Sequence, residues 1–231
     1  MPTVADRSVI VVGATGGLGA PIARLLAAGG AHLTLVGRDE GRVRELGIPG
    51  TVVAVDVRKP ASAGAIVAAA EQAYGGVDGI VNAAGAVAFG SVDEITDDIL
   101  IDLFTLDTLA PIRLLRAAMP ALRASAAAGR DPFIVHVSAV VAEQPMPGMA
   151  AYSAAKAALM AYDAAAAREL RREGIRLVDA RPPHTETGLA TRPLSGQAPK
   201  LPEGLSPDTV ASRIVDAIVA GEKDLPSTAF A

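Results

Sequence analysis

Hydrophobic positions fall in short runs rich in Val, Ile and Leu: SVIVV at 8–12, AHLTLV at 31–36, TVVAV at 51–55, GIVN at 79–82, PFIVHVS at 132–138 and IRLVDA at 175–180. Runs this short and this continuously apolar predict strands buried on both faces, as in a parallel sheet. Between them the apolar residues recur at helical spacing, as in Leu18, Ile22, Leu25 and Leu26, and again in Val210, Ile214, Ala217 and Ile218. Such β-α alternation predicts an α/β fold: a doubly wound parallel sheet with helices on both faces, a Rossmann-like three-layer arrangement. One domain spanning 1–231 is expected, interrupted by a long Pro- and Gly-rich loop at about 181–205 that lacks periodicity and suits a substrate-binding role.

Composition narrows the classes of function. Apolar residues are 51% of the 231, with a mean hydropathy of +0.36, yet no apolar stretch approaches the roughly eighteen residues of a membrane span. The start, MPTVADRSVIVVG, enters a strand without a leader pattern, so a cytoplasmic protein with no membrane association is expected. There is no Cys, and His32, His136 and His184 are scattered, so no metal site is expected. A net charge of −4 with dispersed basic residues gives no support to a nucleic-acid partner.

Directly after the first predicted strand stands Gly13-Ala14-Thr15-Gly16-Gly17-Leu18-Gly19, and the leucine-striped helix begins within it. Glycines at a strand-to-helix turn admit a tight bend and let backbone N–H groups approach a pyrophosphate, while the helix N-terminus adds partial positive charge. Where an NAD site would place an acid at the end of the second strand, this chain has Gly37 and Arg38. A guanidinium can grip a 2′-phosphate, so NADP(H) is expected over NAD(H); Asp39 reaching the ribose is the competing reading.

Tyr152 and Lys156 stand four residues apart in AYSAAKAAL, about one helical turn, and Ser138 ends the fifth apolar run. A cation beside a phenol favours the phenolate, which is expected to lower the Tyr152 pKa toward neutral pH, and Ser138 can bond the same substrate oxygen. Tyr and Lys at this spacing meet on many solvent-facing helices, and the scarcity of Lys, four against seventeen Arg, adds only a little weight to the pair.

Taken together these motifs resemble the short-chain dehydrogenase/reductase family, single-domain type, over essentially the whole chain. Gly13, Gly17 and Gly19 are similar to its TGxxxGxG turn, with Val12 where Thr is usual. Asp56-Val57 resembles its adenine-contacting pair, Asn82-Ala83-Ala84-Gly85 its NNAG motif, and Ser138, Tyr152 and Lys156 its catalytic positions. The resemblance implies a carbonyl or secondary alcohol as substrate, Tyr152 as the proton donor, and Lys156 serving both Tyr152 and the nicotinamide ribose. It places Asp107, where the family has Asn, in the catalytic set on the long helix before the fifth strand. It assigns Pro182, Thr185 and Thr187 to the cofactor in a loop that closes over substrate, with Pro183 replacing the usual Gly and a hinge near Gly188 or Gly196. His184 facing the pocket is a further reading, and apolar walls are expected from Ala139 to Met149 and from Leu189 to Leu205. A homodimer or homotetramer built on the long helices is implied. Two other functions use the same features: a carrier-protein-dependent 3-oxoacyl reductase and a non-catalytic nucleotide-sensing protein.

Overall fold

The computed structural model of the chain describes residues 3–230. Six strands form one parallel sheet: β1 (Ser8–Val12), β2 (His32–Gly37), β3 (Thr51–Ala54), β4 (Gly79–Asn82), β5 (Phe133–Val137) and β6 (Arg176–Ala180), in spatial order β3-β2-β1-β4-β5-β6. All five pairings are parallel, with Val12 opposite both Val36 and Asn82. The six apolar runs thus became the six strands, their ends moved by a residue or two. The largest consequence is at β2, which extends to Gly37; a Cβ there would lie 2.6 Å from Val43 Cγ2.

Every residue of β1 is buried, and its side chains alternate between two cores. Val9 and Val11 join one core with Ile22 and Leu26 of α1 (Gly19–Ala28) and Val210, Ile214 and Ile218 of α7 (Pro207–Ala220). Ile10 and Val12 join the other with Ile66 of α3 (Ser62–Tyr74) and Leu114 and Leu122 of α5 (Ala110–Ala127). Leu25, expected on the buried stripe of α1, is 36% exposed, because the stripe is narrower than four apolar positions per two turns. Local chemistry marks the helix ends. Asp39 caps α2 (Glu40–Arg44), Thr96 caps α4 (Asp97–Phe104) and Ser206 caps α7 ahead of Pro207, while Gly75 and Gly221 close α3 and α7 in the left-handed conformation. Near the bottom of the sheet, buried Asp78 accepts from the Ser8 N–H, Ser125 Oγ and the Arg130 guanidinium, tying β4 to β1 and to the end of α5.

Strand order reverses at β1, with β2 to one side and β4 to the other, so the carboxyl ends of β1 and β4 open a crevice. Residues 181–205 hold no helix or strand beyond an isolated Thr185–Leu205 bridge and cross above this crevice. They are latched to the segment after β4: Leu194 N–H donates to Val87 O at 2.8 Å and Phe89 N–H to Ser195 O at 2.9 Å.

Candidate active site

The first wall of the crevice is the glycine turn. Gly13 has φ +76, and a Cβ on it would fall 2.8 Å from Ala84 N, so the turn presses against the chain leaving β4. A Cβ on Gly19 would lie 2.0 Å from Gly13 O, which fixes Gly where α1 begins. Gly16 N–H closes the turn onto Gly13 O, while the N–H groups of Thr15, Gly17 and Leu18 have no acceptor among the described residues. No acidic residue lies in the first turn of α1 and no side chain caps it, so these donors and the positive end of the helix remain uncompensated. That donor set fits a pyrophosphate.

Beyond Gly37 the cleft is lined by Arg38 and Arg42, neither of which has an ion-pair partner among the described residues. Asp39 does not reach the cleft: its Oδ1 accepts the Arg42 N–H at 3.1 Å as the cap of α2. Asp56 and Val57 line the cleft, and Arg58 folds over Asp56, with Nη2 2.7 Å from its Oδ2 and Nη1 reaching Asp102 at 3.1 Å. That guanidinium holds the Asp56 carboxyl below its usual range.

The other end of the cleft holds Ser138 after β5 and Tyr152 and Lys156 on α6 (Ala150–Arg172), an Ala-rich segment whose helix propensity is high. All three are buried. Lys156 Nζ donates to Val137 O at 3.2 Å, lies 3.3 Å from Asp107 Oδ1 and is 5.9 Å from the centre of the Tyr152 ring. Ser138 Oγ has no partner among the described residues. Asp107 sits on a five-residue π-helical turn, Thr105–Leu109, inserted between α4 and α5; the widened turn directs it inward, where Oδ1 accepts the Ala86 N–H at 3.1 Å and Oδ2 is unpartnered. Gly85 makes room for this pair, since a Cβ there would be 2.8 Å from Asp107 Oδ1.

The electrostatics correct one expectation. Burial pushes the Tyr152 phenol up to about 12; Lys156 pulls it down, but Asp107 pushes it up again. The ammonium does lower the phenol pKa, and desolvation outweighs it. Burial also raises the Asp107 carboxyl against the pull of Lys156, while Lys156, itself opposed by burial, is kept charged chiefly by Asp107.

The cleft, about 360 Å³, gathers Gly13, Thr15, Gly16, Gly17, Leu18, Arg38, Asp56, Val57, Ala83, Ala84, Gly85, Ser138, Tyr152, Lys156 and Thr187. Gly19 lies beneath the turn, and Asn82 points into the α3/α5 layer beside Ala63 and Leu114. Asp107 stands behind Lys156 rather than on the cleft wall. Pro182 and Thr185 do not line it and make bonds within the loop and its neighbour: Pro182 O accepts the Val140 N–H, and Thr185 Oγ1 donates to Pro183 O. His184 does not line the cleft either; its Nε2 is 3.2 Å from Glu186 Oε1 on the outer side of the loop. Apolar contacts come from both anticipated walls, with Val141 and Met149 packed by Tyr152, and Leu189 and Leu194 at the mouth. Arg42, Arg58 and Arg192 also line the cleft and escaped the sequence reading. Arg42 lies in the first turn of α2, just past Arg38 and the Asp39 cap, while Arg192 in an aperiodic loop carried no signal.

The family model described as short chain dehydrogenase matches residues 7–197. A Streptomyces violaceoruber protein named "Granaticin polyketide synthase putative ketoacyl reductase 1" is 35% identical over 199 residues, covering 82% of this chain and 72% of its own. The Mus musculus protein named dehydrogenase/reductase SDR family member 7B is 27% identical, covering 96% of this chain and 73% of its own. Among solved structures, a short chain dehydrogenase from Burkholderia cenocepacia in complex with NADP superimposes with a TM-score of 0.84 at 25% identity, covering 99% of this chain and all of the other. A 3-ketoacyl-(acyl-carrier-protein) reductase from Brucella melitensis complexed with NADH gives 0.86 at 24% identity over 99% of this chain, a likeness of fold.

Proposed function

The chain belongs to the short chain dehydrogenase family of oxidoreductases, and from that premise we propose that it is an NADP(H)-dependent enzyme acting on a carbonyl or secondary alcohol, with Tyr152 as acid and base. The observation that carries this reading is the meeting, in one cleft, of an unpartnered Ser138 hydroxyl, Tyr152 and Lys156 with a glycine turn whose N–H groups are free. The nicotinamide, when bound, supplies or accepts the hydride at the substrate carbon. Ser138 Oγ donates a hydrogen bond to the substrate oxygen and fixes it beside Tyr152. In reduction the Tyr152 O–H passes its proton to that oxygen; in oxidation the phenolate takes it back. A phenol pushed up to about 12 carries the proton that the reductive step needs. Lys156 keeps the resulting phenolate from standing as an isolated buried charge, and the apolar wall of Val141, Met149, Leu189 and Leu194 suits an uncharged substrate.

Preference for NADP(H) is supported by Arg38 and Arg42 beside the end of β2 and by the engagement of Asp39 Oδ1 as the cap of α2. A second reading, reduction of a 3-oxoacyl group on a carrier protein, is favoured by the likeness to a protein named as a ketoacyl reductase, and it uses the same residues. Assembly as a homodimer or homotetramer through the long helices is supported by Ile101 at 62% and Leu109 at 40% exposure on the α4–α5 segment. Among the described residues no helix is long and apolar enough to cross a membrane.

Fluorescence titration tests the cofactor assignment. The wild type is expected to bind NADPH about tenfold or more tightly than NADH, and Arg38→Ala to lose most of that preference without weakening NADH. Equal affinities in the wild type would count against NADP(H).

A further inference from the structure

Four guanidinium groups line the cleft, and they are differently employed. Arg58 is committed to Asp56 and Asp102, and Arg38 and Arg42 lie at the β2 end. Arg192 is the fourth, and it comes from the loop. No carboxylate lies within ion-pair distance of it among the described residues. Its backbone N–H bonds to Leu189 O at 3.1 Å and its Nε to Gly188 O at 3.1 Å, which leaves both terminal nitrogens uncommitted.

The path of the chain sets where that guanidinium sits. Thr187 lies against the glycine turn, close enough that a Cβ on Gly17 would fall 2.5 Å from Thr187 Cβ. Gly188 follows at φ +71, a left-handed turn that bends the chain back on itself. The Arg192 side chain then returns to Gly188, so its charge is held one residue from the contact with Gly17. The turn 13–19 contains no charged side chain of its own. A pyrophosphate resting on it would meet N–H groups and the helix dipole on one side and, on the loop side, this one uncommitted cation.

We propose that Arg192 clamps the pyrophosphate of the bound dinucleotide from the loop side and is the side chain that ties residues 187–196 to the nucleotide. The inference rests on the dinucleotide reading of the cleft. Arg192 acts on the part common to both nucleotides, whereas Arg38 discriminates between them, and that difference makes the proposal testable apart from the cofactor preference.

Calorimetric titration of the wild type, Arg192→Gln and Arg192→Lys with NADPH and with NADH decides it, together with amide exchange of residues 187–196 at saturating nucleotide. Arg192→Gln is expected to weaken both nucleotides by the same factor, about tenfold, with their ratio unchanged. Arg192→Lys is expected to recover part of the loss, and the loop amides of the saturated Gln variant to exchange faster than those of the saturated wild type. Wild-type affinity for both nucleotides in Arg192→Gln would overturn the clamp while leaving the cofactor reading intact, and so would a change confined to the KM for a carbonyl substrate. Absence of nucleotide binding by the wild type would instead remove the cofactor reading and the clamp with it.

Discussion

Asp107 lies 3.3 Å from Lys156 in a fully buried setting, and its negative charge works against the very step Lys156 assists. It raises the Tyr152 phenol that Lys156 lowers, and it also helps to keep Lys156 charged; the neutral isostere removes both effects, and the phenol falls as long as the Val137 carbonyl and the forming phenolate hold the ammonium protonated. Asp107→Asn is therefore expected to move the rise of alcohol oxidation with pH to lower pH, by on the order of one unit, measured as the pH profile of kcat/KM; an unmoved profile would show that Asp107 has no electrostatic hold on Tyr152. Asp179 supplies a second case of a misplaced charge, this time in stability. Burial pushes its carboxyl up to about 6 although Arg181 bonds it, with Asp163 adding to the rise, and its Oδ1 has no partner. An acid raised in the folded state favours folding below its unfolded pKa of 3.8, and that contribution is lost as pH rises toward 6. Asp179→Asn, which keeps an acceptor for Arg181 and cannot ionise, is expected to be more stable than the wild type at pH 7.5 by on the order of 1–2 kcal/mol. The advantage should shrink as pH falls through that window, as read from urea unfolding at several pH values. A variant less stable at pH 7.5 would mean that the Arg181 ion pair outweighs the burial of the carboxylate.

At the scale of elements, the inner strands were legible because both faces are buried, which calls for short continuous Val and Ile runs, while the edge strand β3 is only partly buried; β1 and β4 match their runs end to end. The glycine turn was legible for the same kind of reason, since its spacing answers a steric demand that the Gly13–Ala84 and Gly19–Gly13 approaches make explicit. What could not be read was anything set by long-range contact in aperiodic chain. Pro182 O and Thr185 Oγ1 are engaged by Val140 and Pro183, and the inward aim of Asp107 comes from a π-helical turn that periodicity does not announce. The loop also shows where its attachment is vulnerable. Gly196 has φ +71, and a Cβ on it would meet Phe89 O at 2.1 Å, beside the two backbone bonds that latch the loop to residues 87–89. Gly196→Ala is expected to cost about 1–3 kcal/mol locally and to speed amide exchange at Phe89 and Leu194, with a higher KM for the carbonyl substrate. Unchanged exchange at both amides would show that the latch tolerates the side chain.

For the whole molecule, the order β3-β2-β1-β4-β5-β6 places the free N–H groups of the glycine turn, the Arg38 and Arg42 pair and the Ser138, Tyr152 and Lys156 group along one crevice, though they lie far apart in sequence. That convergence explains why Tyr152 and Lys156, uninformative as a pair on a helix, became informative once the turn and the strand ends were read with them. It also separates what the chain does from how well it stands: the sheet and its two apolar layers bury the core, while Ser138 Oγ stands in the crevice with no partner among the described residues. The measurement that tests the account most directly is mass-spectrometric detection of deuterium transfer from NADPH labelled at the nicotinamide C4 to a panel of ketones and 3-oxoacyl thioesters, for the wild type and for Tyr152→Phe. The account predicts an alcohol carrying the label at its carbinol carbon from the wild type, and little or none from Tyr152→Phe although that variant still binds NADPH. Equal labelled product from both proteins, or none from any carbonyl with a wild type that binds the nucleotide, would contradict it.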